Sequence, residues 1–124
     1  MADKILLVDD DEFVLEPLLS MLAQEGFAVR SASNGRRALE LAKSEKPDLI
    51  ILDLVMPGMS GYEICKALKS DPATQAIPIL FVSGHGEVDD RLKGLELGAE
   101  DYIAKPFNFR ELLTRLKVIL RMNK

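Results

Sequence analysis

The sequence predicts an α/β fold in which helices cover both faces of a parallel sheet. Short apolar runs alternate five times with stretches of helical period. This alternation is typical of strand–helix units joined by right-handed crossovers. The first, third and fourth runs are apolar almost throughout, as expected of strands that are buried on both faces. At 124 residues the chain is long enough for one domain, residues 1–124, with a substantial core.

The predicted strands lie near residues 5–8, 27–31, 48–52, 79–82 and 102–104. Pro78 precedes the fourth strand, a position where its missing N–H is tolerated. The second strand, from Phe27 to Ser31, mixes polar and apolar residues. We therefore expect the second strand at an edge of the sheet and the first, third and fourth strands inside it.

Each predicted helix carries apolar residues at the spacing of one helix face. In chain order these are Leu15, Leu18, Leu19 and Leu22; Ala38, Leu39 and Ala42; Ile64, Ala67 and Leu68; Val88, Leu92 and Leu95; and Phe109, Leu112, Leu113, Leu116 and Leu120. Asn34-Gly35 predicts a turn before the second helix, and Gly98 predicts the end of the fourth. Pro17 falls inside the first helix, where it predicts a kink or a later start.

Composition excludes several classes of function. The chain has 16 basic and 20 acidic residues and a net charge of -4, which gives no electrostatic reason to expect direct nucleic-acid binding. Cys65 is the single cysteine, so no internal disulfide and no cysteine metal site is expected. No apolar stretch approaches the roughly 18 residues needed to span a bilayer. We therefore expect a cytoplasmic protein without membrane contact.

Polar residues stand where four of the predicted strands end. Asp9 and Asp10 follow the first strand, Asp53 the third, Ser83 the fourth and Lys105 the fifth. The carboxyl ends of parallel strands meet at one edge of a sheet, where ligands bind in open α/β folds. Three carboxylates, a hydroxyl and an ammonium at that edge would suit a divalent metal and a phosphoryl group.

Helix capping is an alternative explanation for the whole acidic run from Asp9 to Glu12, because carboxylates favour helix N-termini. We assign the capping role to Asp11 and Glu12. Asp9 and Asp10 stand earlier in the chain, at the end of the first strand, where we expect them to face the ligand-binding edge of the sheet. Asp53 is followed by the turn Met56-Pro57-Gly58 and is not placed to cap a helix.

In a sheet of order 2-1-3-4-5 the first and third strands are neighbours. Asp9, Asp10 and Asp53 would then repel one another unless a cation lay among them. Oxygen ligands favour Mg²⁺, and no histidine or cysteine cluster competes for a softer metal.

Four motifs occur in order along the chain: Val8-Asp9-Asp10, Asp53 to Gly61 (DLVMPGMSG), Phe81 to Gly84 (FVSG) and Gly98 to Phe107 (GAEDYIAKPF). With these motifs, essentially the whole chain resembles the receiver domain of two-component response regulators. The resemblance implies a flavodoxin-like fold, a three-layer (βα)5 sandwich with a parallel sheet of order 2-1-3-4-5.

The resemblance also implies roles for the acidic residues. Asp53 corresponds to the phosphoacceptor. Asp10 and Asp53 correspond to direct Mg²⁺ ligands, Asp9 acts largely through water, and the backbone carbonyl of Val55 fills another ligand position.

Further roles follow for the fourth and fifth strands. Ser83 matches the switch hydroxyl, Lys105 the lysine that binds the phosphoryl group, and Tyr102 the aromatic whose rotamer follows activation. The peptide between Lys105 and Pro106 is usually cis in this family. Gly84 leaves room for the phosphodonor, and His85 is either a residue that tunes dephosphorylation or an ordinary solvated loop residue.

The implied function is a signalling switch rather than a turnover enzyme. A sensor histidine kinase or a histidine phosphotransfer protein donates the phosphoryl group, and the domain catalyses only its own phosphorylation and slow dephosphorylation. Phosphorylation changes the conformation of the face formed by helix 4, strand 5 and helix 5. This face contacts a second copy of the chain or an output domain.

Alternative functions fit the residues less well. A degenerate receiver that binds partners without phosphorylation usually lacks an acid or the lysine, and none is missing here. An aspartyl-phosphate hydrolase of the haloacid dehalogenase type carries a second aspartate two residues after the nucleophile, where this chain has Val55. A flavin or nucleotide binder would need a glycine-rich loop after the first strand.

Overall fold

The protein forms a five-stranded parallel sheet with strand order β2-β1-β3-β4-β5. The structure is a computed structural model that describes residues 2–84 and 88–123. For residues 88–90 it describes only the backbone. The elements are β1 (Lys4–Val8), α1 (Glu12–Gln24), β2 (Ala28–Ala32), α2 (Gly35–Glu45), β3 (Leu49–Asp53), α3 (Gly61–Ser70), β4 (Ile79–Ser83), α4 (Val88–Glu96), β5 (Asp101–Ala104) and α5 (Phe109–Met122). The predicted fold and strand order are confirmed. None of the helices in the described ranges combines the length and apolar character that crossing a bilayer requires.

The core lies in two layers, one on each face of the sheet. In β1, Ile5 and Leu7 pack with α1 and α5, whereas Leu6 and Val8 pack on the side of α2 and α3. This division follows from the two-residue period of a strand, which points successive side chains to opposite faces. Strand β2 is only partly buried and lies at an edge, as its mixed sequence predicts.

Polar side chains cap the N-termini of four helices by accepting hydrogen bonds from backbone N–H groups. Asp11, Asn34, Ser60 and Asn108 are the N-caps of α1, α2, α3 and α5. The turn predicted at Asn34-Gly35 is therefore a helix start, because the Asn34 side chain accepts the N–H of Arg37 at 2.9 Å.

The proline in α1 does not delay the helix, which begins at Glu12 and continues through Pro17. A proline at this position leaves the carbonyl of Phe13 without its helical donor. Pro17 is exposed and Phe13 is 93% exposed, so water can bond that carbonyl. The solvent-facing position explains why the helix tolerates the proline.

Helix α4 differs from its predicted packing. The helix exists, but Leu92 is 49% and Leu95 41% exposed, so these leucines do not form its core-facing side. The side chain of Val88, the third residue of the predicted stripe, lies outside the described part of the structure. Gly94 is buried instead. An ideal Cβ on Gly94 would lie 2.7 Å from Cδ2 of Phe81, which shows that the helix backbone rests on that ring. The buried ring of Phe81 thus occupies the space that a side chain of α4 would need.

We predict that Gly94→Ala destabilises the domain although alanine is the better helix former. The helix propensity of alanine favours the folded state by about 1 kcal/mol, but the overlap with Phe81 costs about 1–3 kcal/mol. Urea denaturation of a double-mutant cycle measures this. In a Phe81→Leu background the same glycine replacement should become neutral or stabilising. An equal effect in both backgrounds would contradict the proposed overlap.

Candidate functional site

The pairing of β1 with β3 brings two carboxylates together. Val8 lies opposite Leu52, so Asp9 follows β1 beside Asp53, the last residue of β3. One oxygen from each of Asp9, Asp10 and Asp53 lies within 4.8 Å of the others. Asp9 and Asp53 are 4% and 7% exposed, whereas Asp10 is exposed. The three acids therefore lie together at the carboxyl ends of the strands, as the sequence pattern predicts.

Lys105 approaches the acids from the end of β5. Its Nζ lies 2.9 Å from Oδ2 of Asp9 and 3.7 Å from Oδ2 of Asp53. The backbone N–H of Lys105 donates to the carbonyl of Ser83 at 2.6 Å, which extends the β4–β5 pairing to the lysine. The peptide that joins Lys105 to Pro106 is cis, as the family resemblance implies.

Two loop N–H groups orient the buried carboxylates. Oδ1 of Asp9 accepts the N–H of Asp11 at 3.0 Å, and Oδ1 of Asp53 accepts the N–H of Val55 at 3.4 Å. In both aspartates Oδ1 therefore faces the loop and Oδ2 faces Lys105. Asp11 also caps α1 by accepting the N–H of Phe13, and Glu12 begins that helix, so their structural assignment is confirmed.

The charges of the site shift two pKa values. Burial, followed by the charge of Asp9, raises the pKa of Asp53 from 3.8 to about 6, against the lowering effect of Lys105. Burial opposes the charge of Lys105, but its hydrogen bond with Asp9 and the charges of Asp53 and Asp9 outweigh burial and raise its pKa. The lysine therefore stays protonated at neutral pH, and Asp53 ionises at an unusually high pH for an aspartate.

The donor set fits a divalent cation. Three carboxylates meet one ammonium, so with all four groups ionised the cluster carries a net charge of -2. Hard oxygen donors of this kind suit Mg²⁺. Val55 lies in the loop after Asp53 and is 56% exposed; its carbonyl as a further ligand stays a prediction.

The predicted switch residues lie on β4, which pairs with the strand of Asp53, and on β5, which pairs with β4. Ser83 ends β4 and is fully buried, and the residue before it, Val82, is paired with Asp53. Tyr102 is buried in the core and lies opposite Phe81 across the β4–β5 pair. Their roles in switching stay predictions.

The loop that follows β4 is described only in part. Among the described residues, no atom would lie within 4 Å of a Cβ on Gly84. His85 lies outside the described residues.

Sequence reasoning missed one close neighbour of the site, Gly61. It belongs to the recognised motif, but its contact with the backbone of Asp53 depends on how α3 returns to the end of β3. The sequence did offer a signal: a glycine stands at the first position of the helix that follows the loop after Asp53.

Known proteins are similar to this chain in sequence and in fold. The response regulator receiver domain family matches residues 5–117. The alkaline phosphatase synthesis transcriptional regulatory protein PhoP of Bacillus subtilis is 46% identical over 121 residues, 98% of this chain and 50% of that protein. The phosphate regulon transcriptional regulatory protein PhoB of Pseudomonas aeruginosa is 44% identical over 117 residues, 94% of this chain and 51% of that protein.

A solved structure of the chemotaxis protein CheY4 of Vibrio cholerae superposes with a TM-score of 0.91 at 32% identity, covering 96% of this chain and 99% of that one. The chain spans about half the length of the curated relatives it matches, and these relatives are named as regulators rather than enzymes. The chain belongs to the response regulator receiver domain family of two-component signalling.

Proposed function

We propose that this receiver domain is a phosphorylation-dependent switch in which Asp53 accepts a phosphoryl group from a histidine kinase or a histidine phosphotransfer protein. One observation carries the proposal: a buried carboxylate at a strand end lies within reach of two further aspartates and a lysine ammonium. Family membership supports it, since the relatives are response regulators. The proposed unit is the whole domain, residues 1–124.

The proposed reaction is an in-line transfer in which Asp53 is the nucleophile. A carboxylate oxygen of Asp53 forms the new bond to phosphorus, while the bond from phosphorus to the donor imidazole nitrogen breaks and its electron pair stays on the imidazole. Lys105 binds an oxygen of the phosphoryl group. Asp10, Asp53 and the Val55 carbonyl would hold Mg²⁺, with Asp9 acting largely through water. The bound metal supplies positive charge that offsets the charge of the phosphoryl oxygens.

The surface beside Lys105 suits a protein as the donor. Val14, Pro106 and Phe107 form an open groove next to the lysine, and Phe13 is 93% exposed on α1. An apolar surface around a charged site is typical of a protein–protein contact.

The proposed switch uses Ser83 and Tyr102. The new phosphoryl group draws the Ser83 hydroxyl inward, and the Tyr102 ring fills the space that is released. This biases the face formed by α4, β5 and α5 between two states. Leu92, Leu95 and Val118 are exposed there, which supports contact with a second copy or an output domain. The net charge of -4 supports no direct nucleic-acid contact by this domain.

Self-catalysed phosphorylation and slow hydrolysis are the extent of the proposed catalysis. The carboxylates and the lysine that a degenerate receiver would lack are present and close together. Val55 occupies the position where a haloacid dehalogenase has its acid/base aspartate, which disfavours a hydrolase.

We predict that Mg²⁺ raises the melting temperature, because the cation binds the folded acidic site and not the unfolded chain. Since the pKa of Asp53 is about 6, protonation competes with the cation, and the apparent dissociation constant should rise about tenfold per pH unit below that value. Differential scanning fluorimetry between pH 5 and pH 8 measures both effects. Asp53→Asn should remove most of the shift, while Glu16→Gln, an exposed charge on α1, should leave it. No shift in the wild type would contradict the metal site.

We predict that a small phosphodonor such as acetyl phosphate modifies Asp53 alone, in the presence of Mg²⁺. Intact-mass and peptide mass spectrometry would show one added phosphoryl group, absent in Asp53→Asn. Lys105→Met should keep the fold but slow the modification by about 10²-fold, because it removes one electrostatic contact to the phosphoryl group. An unmodified wild type would favour the phosphorylation-independent alternative.

We predict that Asp53→Asn stabilises the metal-free domain at neutral pH. The folded-state pKa of Asp53 is raised from 3.8 to about 6, so its contribution to stability is fully present below pH 3.8 and is lost as the pH rises through 6. The asparagine variant avoids that loss and should gain up to about 3 kcal/mol in the free energy of unfolding at pH 7.5. Denaturation in EDTA measures the gain, which should shrink toward pH 4. A gain of the same size at both pH values would show another cause.

A further inference from the structure

Gly61 touches the backbone of the proposed phosphoacceptor. An ideal Cβ on Gly61 would overlap the carbonyl oxygen of Asp53 and would lie 2.7 Å from Cα of Leu54 and 3.0 Å from the carbonyl carbon of Asp53. Cβ atoms in proteins essentially never come closer than 3.0 Å to such atoms. The atoms in the way belong to the main chain, so no side-chain rotation relieves the overlap.

The same glycine ties α3 to the end of β3 by a hydrogen bond. Its N–H donates to the carbonyl of Leu54 at 2.8 Å. The start of α3 is itself held by a capping box, in which the Ser60 hydroxyl accepts the N–H of Glu63 and the Glu63 carboxylate accepts the N–H of Ser60. The capped N-terminus of α3 therefore lies in direct contact with the peptide that joins Asp53 to Leu54.

The need for glycine here is steric. Among the glycines that the structure describes, those with positive φ are Gly26, Gly58 and Gly98; Gly61 is not among them, so its backbone conformation does not require glycine. Asp53 begins the loop that reaches Gly61, and its carboxylate lies in a cluster with oxygens within 4.8 Å. A displacement of this strand end by a fraction of an ångström would alter the distances from Asp53 to Asp9, Asp10 and Lys105.

We propose that Gly61 is a positioning residue for Asp53: its missing side chain lets α3 hold the end of β3 where the Asp53 carboxylate meets the metal-binding acids and the phosphoryl donor. The inference rests on the proposed function and adds a residue that touches neither metal nor phosphoryl group. A purely structural role predicts a loss of stability only, whereas a positioning role also predicts weaker Mg²⁺ binding and slower transfer in the folded protein.

Gly35 provides a matched control. Like Gly61 it is buried and is the first residue of a capped helix. Its ideal Cβ would lie 2.7 Å from Sδ and 2.9 Å from Cβ of Met59, so a methyl group there requires a small shift of Met59 but meets no atom of Asp53 or Leu54. Gly35→Ala introduces the same methyl group at the same helix position without pressing on the backbone of Asp53.

The experiment compares Gly61→Ala, Gly35→Ala and the wild type at a temperature where all three are folded by circular dichroism. Calorimetric titration gives the Mg²⁺ dissociation constant, and mass spectrometry gives the maximal rate of Asp53 phosphorylation by acetyl phosphate at saturating Mg²⁺. We expect Gly61→Ala to weaken Mg²⁺ binding and to lower the maximal rate by about tenfold or more each, since small misplacements of reacting groups are costly. Gly35→Ala should keep both values near those of the wild type, whatever its melting temperature.

Wild-type values in a folded Gly61→Ala protein would overturn the positioning role and leave the proposed function intact. Equal losses in both glycine variants would also overturn it, because they would point to general destabilisation. A wild type that neither binds Mg²⁺ nor accepts a phosphoryl group would refute the proposed function, and the positioning role with it.

A measurement on the wild type tests the inference if Gly61→Ala does not fold. The hydrogen bond from Gly61 N–H to the carbonyl of Leu54 should open less often when Mg²⁺ is bound to Asp53. Amide hydrogen exchange followed by NMR should then show that Mg²⁺ slows exchange at Gly61 more than at core amides that exchange by global unfolding. Unchanged exchange at Gly61 under saturating Mg²⁺ would count against a link between this contact and the site.

Discussion

The parallel register between β1 and β3 is the constraint on which the site depends. Because Val8 lies opposite Leu52, the chain leaves both strands at the same level, and Asp9 emerges beside Asp53. A slip by one residue would turn each side chain to the other face of the sheet and separate the two carboxylates. Apolar residues on both faces of β1 and β3 are buried in the core, so the hydrophobic packing that stabilises the fold also sets the geometry of the acids.

This geometry makes the site electrostatically costly. Two buried carboxylates lie close together with a third nearby, and one ammonium at 2.9 Å from Asp9 offsets only part of their charge. Burial first, and the charge of Asp9 second, raise the pKa of Asp53 to about 6. Under the proposed function a bound cation relieves the repulsion, so ligand binding and fold stability are coupled through the same few atoms.

Two glycines determine how helices meet the sheet near the site. Gly94 lets α4 rest on the ring of Phe81, and this leaves Leu92 and Leu95 on the exposed side. Gly61 lets α3 contact the main chain at Asp53. In both cases the absence of a side chain sets a distance between elements that a larger residue would have to increase.

The sequence by itself determined the alternation of strands and helices, the edge position of β2 and the residues that stand at the strand ends. These properties follow from apolar periodicity and from turn and capping residues, which act over a few positions. Asn34 shows the limit of such local signals, because the same residue type serves a turn or a helix cap.

Only the tertiary structure decided which acid Lys105 contacts more closely, which side of α4 is buried and which backbone Gly61 touches. Lys105 and Asp9 are 96 positions apart, so their contact depends on the pairing of every strand between them. Local patterns carry no information about such distances, which result from how the elements pack together.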